Sequence, residues 1–222
     1  MGGSSMARES RVDRSSSGGI AGAIILAAIT AAIGYAVSYI SDYKKNELDV
    51  ANAQIEKLYG PLYAYSTAAD KAHSNLREFY RPNSAHYFNK NDDDRPSPIE
   101  VETWRRWMKI VFLPLDQKME STIIDNVQLI GGQRIFPLFG KLIVHVESYK
   151  AVVANWKDSD DLLSPDARSF AANNALVEYP IGLDDCIQLR YDTIIERRNR
   201  IEKSLTGFFI GESSAQFPEG CF

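Results

Sequence analysis

The residues able to do chemistry in this chain are few and scattered. There are three histidines, His73, His86 and His145, and two cysteines, Cys186 and Cys221. Asp70-x-x-His73 has the i, i+3 spacing of a carboxylate–imidazole metal pair. A di-metal centre in a helical bundle needs two such Glu-x-x-His units and two further acids, and no second copy occurs. His145-x-Glu147 has the spacing of a zinc-deaminase fragment without the paired cysteines that complete one. His145 adjoins an apolar seam, so an edge-of-core histidine is the expectation. Arg81-Pro82-Asn83-Ser84-Ala85-His86 matches the bare Arg–His spacing of helical-bundle ribonucleases, but it lies in a proline-bearing stretch rather than opening a helix. Gly-x-Ser-x-Gly is absent and neither cysteine has a histidine nearby in sequence, so nucleophilic catalysis has no support. Gly131-Gly132-Gln133-Arg134 precedes a helix, where an anion can bind, yet it reads as a turn. No catalytic residue, metal site or cofactor is expected, and no small-molecule substrate suggests itself.

The elements that would position any such residues begin with a membrane segment. No charge occurs between Arg14 and Asp42, and Ile20 to Ile40 is an apolar run of 21 residues. That length suits one helical crossing of a bilayer, and Tyr35 and Tyr39 lie where aromatic rings favour the interface. A cleaved signal peptide would be shorter, and a buried core helix would show a polar face. Gly19, Ala23, Ala27 and Ala31 recur every four residues. Small residues let helix backbones approach closely in lipid, so this face is the expected packing surface, against another copy or another membrane subunit. Arg8, Arg11 and Arg14 before the span nearly balance Lys44, Lys45 and Lys57 after it. A cytoplasmic domain on a bacterial inner (cytoplasmic) membrane is the leaning.

About 175 residues then remain, enough for one core. The net charge of −4 implies no nucleic-acid partner. The cysteines form no disulfide framework, and unpaired thiols are expected over a bond. The division reads as a disordered tail over 1–17 (Met6 offers a second start, so 1–5 need not be native), a transmembrane helix over 18–41, a helical domain over 42–208 and an irregular tail over 209–222.

Leu48, Ala51, Ile55, Leu58 and Leu62 step by three and four, which continues the helix past the membrane. Gly60-Pro61 should break or kink it, with helix resuming to about Tyr80. Residues 81–98 read as a loop. Ser97-Pro98 with Glu100 resembles a helix start. From Ile99 to Ile130 the stripe is Trp104, Met108, Val111, Leu115 and Met119, with a kink at Pro114 and a stop at Gly131-Gly132. Ile135, Phe139, Leu142, Val146, Tyr149, Val153 and Trp156 form the next seam. A short helix within 165–175 and a long one from Gly182 to Leu205 follow. The fold class is all-α, one transmembrane helix followed by an antiparallel bundle of about four long helices.

Two phrases carry a resemblance. Leu58-Tyr59-Gly60-Pro61-Leu62-Tyr63-Ala64 is one, and Trp104-Arg105-Arg106-Trp107-Met108 followed by Val111-Phe112-Leu113-Pro114-Leu115 is the other. With His145 to Val152 and Trp156, they resemble a group of uncharacterised bacterial helical proteins over roughly residues 54–156. The resemblance implies a bacterial origin and a helical fold, and no reaction.

Two charged clusters remain as candidate interaction surfaces. Trp104, Arg105 and Arg106 could form an interface hot spot, and Arg197 and Arg198 lie in a mixed-sign run that reads as a solvated face. Arg190 and Arg198 fall near the apolar side, with Asp116 or Glu147 as candidate partners. The function expected is a non-catalytic, membrane-anchored interaction or assembly protein, an accessory subunit or scaffold. The rivals are an oligomeric pore-forming effector and an enzyme with a nonstandard histidine–acid site.

Overall fold

The computed structural model describes residues 17–82, 87, 96–131, 135–156, 170–204 and 221, and all regular structure among them is helical. The expected tail over 1–17 lies outside these residues except for Ser17, and the tail over 209–222 lies outside them except for Cys221. Helix α1 spans Ser17–Ala53, and a π-helical turn, Gln54–Tyr59, joins it to α2, Gly60–Tyr80. Residues 22–80 therefore make one helix of 59 residues, about 90 Å long at about 1.5 Å per residue. Residues 22–39 are exposed on every side. This apolar stretch, near the N-terminus, is long enough to cross a membrane. Further along, Ala51, Leu58 and Leu62 are fully buried, as their spacing predicts.

Gly60-Pro61 does not break the helix. Proline lacks a backbone donor and its ring collides with the carbonyl four residues earlier in a regular α-helix. Here the Gly60 N–H bonds to the Ile55 carbonyl, five residues back, and Pro61 falls in the first turn of α2. The wider π turn relieves that collision without interrupting the helix. A side chain at Gly60 would collide with the Ile55 carbonyl oxygen, so glycine is needed for that approach.

The same device recurs at Pro114. Helix α3, Pro98–Trp107, opens with a capping box: Glu100 N–H donates to Ser97 Oγ at 3.3 Å and Ser97 N–H to Glu100 Oε2 at 2.6 Å. A π turn, Met108–Phe112, closes with the Leu113 N–H on the Met108 carbonyl and leads into α4, Leu113–Asp125. This turn corrects the expected stripe. Val111 and Leu115 are only half-buried, whereas Phe112, Leu113 and Asp116 face inward. A 3₁₀ turn, Val127–Leu129, then ends at Gly131, whose φ of 83° suits glycine.

Helix α5, Pro137–Asn155, buries Phe139, Leu142, Val146 and Tyr149; Ile135 precedes it and is exposed. A single turn, α6, covers Phe170–Asn173, and α7 covers Leu183–Lys203. The end of α1 packs on α7, α2 on α4 and α7, and α4 on α5. Leu58, Leu62, Met119, Ile123, Leu142 and Ile187 form the centre of the core.

Polar clamps fix the end of the domain nearest the apolar stretch. Lys44 Nζ donates to the Glu202 and Ser204 carbonyls at 3.0 and 2.7 Å, capping the end of α7 with positive charge. Arg197 pairs with Glu47 across the same interface. Gln54 Nε2 and the Tyr59 hydroxyl, both from the first π turn, donate to the Leu129 and Ile130 carbonyls at 2.9 and 3.2 Å. Cys186 and Cys221 form a disulfide, with Cα atoms 5.6 Å apart. This corrects the expectation of unpaired thiols: Cys221 lies against α7, a contact that sequence spacing does not encode.

Candidate functional site

A cavity of about 340 Å³ lies among α2, the α3–α4 rod, α5, the segment after α6 and the start of α7. From α2 come Ser66, Asp70 and His73, whose steps of four and three keep them on one face. The α3–α4 rod supplies Trp104, Met108, Phe112 and Asp116 at uniform four-residue intervals. In an unbroken α-helix each such step drifts by about 40°, and three steps would rotate Asp116 out of the wall. The wider π turn at Met108–Phe112 absorbs that drift and keeps all four on the cavity.

Helix α5 adds His145 and Tyr149, one turn apart, and α7 adds Asp184 from its first turn. Glu178 and Tyr179 come from the connecting segment. The cavity has depth. Asp116, His145 and Tyr149 form its floor, each 5% exposed. Tyr179 and Asp184 are half-buried, and Asp70, His73 and Glu178 stand exposed at the mouth.

Hydrogen bonds hold the walls in place. His145 Nδ1 lies 2.6 Å from the Val177 carbonyl oxygen. A carbonyl only accepts, so Nδ1 carries the proton and Nε2 is left as an acceptor. The Tyr149 hydroxyl sits 3.2 Å from the Asn173 carbonyl, and the Tyr179 hydroxyl donates to Asp184 Oδ1 at 3.0 Å. Aromatic edges meet around the cavity, with the His145 ring 5.1 Å from Tyr149 and 5.5 Å from Tyr179. The Trp104 and Phe112 rings lie 5.8 Å apart.

The electrostatics follow from burial of like charges. Desolvation, and then the negative charge of Asp184, push the Asp116 carboxyl up to about 7. Desolvation also raises Asp184, with Asp70 and Asp185 adding to the effect and the Tyr179 hydrogen bond opposing it. Burial lowers His145 against the pull of the Val177 carbonyl, and raises the Tyr149 and Tyr179 hydroxyls. No lysine or arginine is among the described residues lining the cavity. No three histidine, cysteine or acidic residues among those described are grouped to hold a metal ion.

The other candidates have structural partners. Trp104 is buried and donates from Nε1 to the Asn173 carbonyl at 3.0 Å. Arg105 is 8% exposed, bonds Asn173 Oδ1 at 2.8 Å and stacks over Trp156 at 5.3 Å. It faces the interior rather than a partner surface, and Arg106 alone of that cluster is exposed, 3.3 Å from Glu102. Arg81 is buried against Tyr87 and Glu100; His86 lies outside the described residues. Arg198 donates to Asn199 Oδ1 at 3.0 Å, and the Arg190 guanidinium lies 6.0 Å from the Tyr59 ring. Glu147, a suggested partner for these arginines, is instead held by Lys150, which also binds Glu120, both at 2.8 Å. Ala23, Ala27 and Ala31 are exposed; Gly19 is in α1, but its surroundings lie outside the described residues.

Reasoning along the sequence joined Asp70 to His73 but missed Asp116, Glu178, Tyr179 and Asp184 as members of one site. The available signal was the four-residue repeat from Trp104 to Asp116 ahead of and across Pro114. Compared with protein-family models, curated proteins and solved structures, the chain matches none.

Proposed function

We propose that the chain is a single-pass membrane protein whose domain, an antiparallel bundle of about four long helices, acts as a non-catalytic interaction and assembly module. The observation that carries this reading is the single helix from residue 22 to residue 80: wholly exposed and apolar at one end, buried in the core at the other. Lys44 and Glu47 clamp it to α7 just beyond the apolar stretch, so the domain and span move as one piece. The exposed Ala23, Ala27 and Ala31 face, with Gly19, supports packing against a second span. The Cys186–Cys221 bond favours the oxidising side of the membrane for the domain, against the cytoplasmic side that the charge balance suggested.

Ala23→Leu with Ala27→Leu should weaken oligomer or co-complex recovery from native membranes in mild detergent. Unchanged recovery, or a wild-type chain that is always monomeric and alone, would overturn the assembly role. Thiol labelling of acid-quenched membranes tests the orientation: both cysteines should resist labelling until reduced.

A further inference from the structure

Asp116 is the least expected residue in the interior. It is 5% exposed and lines the cavity, and only burial and the charge of Asp184 act on its ionisation, with no hydrogen bond or cation among the described residues opposing them. The charged group nearest to it in effect is another acid, Asp184. An unpaired carboxylate largely withdrawn from water is costly enough that proteins normally supply a partner. Among the described residues none is supplied, although Lys150 holds two acids elsewhere on α4 and α5. The space in front of Asp116 is open, concave and of a size that holds small ligands.

We propose that this cavity binds a small organic ammonium compound, with Asp116 as the buried counter-charge at its floor. The surrounding chemistry selects that class. Asp70, Glu178 and Asp184 make the approach negative, which repels carboxylates and phosphates. The walls present the rings of Trp104, Phe112, Tyr149 and Tyr179, whose faces attract an ammonium group once it is desolvated. An uncharged apolar guest would leave Asp116 unpaired, and a bare metal ion would find no cluster of three ligating side chains among the described residues. When empty, the site relieves itself in part by protonating Asp116; the ligand ionises it. This site is independent of how the span assembles.

Calorimetry on the full chain in detergent tests the proposal with four cationic probes: tetramethylammonium, choline, putrescine and spermidine. 3,3-Dimethylbutanol is the neutral match for choline. At least one cation should bind with a Kd below about 1 mM, and the neutral match should bind at least about tenfold more weakly. Asp116→Asn, checked for fold by circular dichroism, should weaken the cation at least about tenfold through loss of the charge-assisted contact. Phe112→Leu, which keeps apolar volume but removes a ring, should weaken it about threefold. No binding by any of the four cations to the folded wild type overturns the proposal. Equal affinity in Asp116→Asn, or an equally good neutral match, overturns it too.

Discussion

Replacing Asp116 by asparagine should stabilise the protein at alkaline pH relative to acid pH, because it removes a carboxylate that folding forces out of water. The ordinary pKa of 3.8 rises to about 7 in the folded chain. Between those values the unfolded chain has given up its proton and the folded chain has not, so stability falls as pH rises. Below about 3.8 the penalty is absent, and above about 7 it is complete. At about 1.4 kcal/mol per pH unit the full penalty is about 4 kcal/mol. Asparagine has nearly the same shape and no charge, and the cost of its buried amide does not vary with pH. The informative quantity is therefore the difference between two pH values. Guanidinium unfolding of the full chain in detergent, followed by far-ultraviolet circular dichroism, should show the variant gaining about 3 kcal/mol more over wild type at about pH 8.5 than at about pH 4.5. A gain that is the same at both pH values would refute the reasoning. It would mean that Asp116 is solvated or paired in the folded protein.

Two further perturbations follow from the backbone. Cys186→Ser with Cys221→Ser frees a crosslink over 35 residues, so unfolding should cost about 4 kcal/mol less than in the oxidised wild type. Identical unfolding of the two would show that the bond restrains nothing. Gly60→Ala drives a methyl group into the Ile55 carbonyl and should lower stability by about 1–3 kcal/mol. A neutral or stabilising effect, as expected of alanine in an ordinary helix, would show that the π turn is not formed there.

Much of the fold is legible in the chain because burial is periodic. The steps through Leu48, Ala51, Ile55, Leu58 and Leu62 announce the helix that leaves the apolar stretch, and Phe139, Leu142, Val146 and Tyr149 are buried as their spacing requires. Pro61 misleads where it reads as a stop, because the helix runs through it, as it does through Pro114. One extra residue in the preceding turn is an equally good solution, and nothing in local composition distinguishes the two before the backbone is seen. The same extra residue explains why the site is hard to read. Once the register slips at Met108–Phe112, Asp116 turns inward while Leu115 gives up part of its burial. Asp184 and Tyr179 join it across more than 60 residues of sequence, and such a meeting depends on tertiary packing alone. Arg105 shows the opposite error: a charge that looks available on the page is taken up by Asn173 and Trp156 in the interior.

The unbroken helix also decides which water the cavity samples. From Asp42, at the end of the apolar stretch, to Asp70 at the mouth is 28 residues, about 40 Å of helix. Anionic lipids hold a surface potential of about −30 mV, which concentrates monovalent cations about threefold at the headgroups. That enrichment decays over a screening length of about 8 Å in physiological salt, so with the helix along the normal of a bilayer that ended at Asp42, about five such lengths would separate the mouth from it. A cation reaching Asp70 and Glu178 is therefore drawn at bulk concentration. With the apolar stretch anchored in a bilayer, occupancy would be indifferent to the lipid composition of that bilayer.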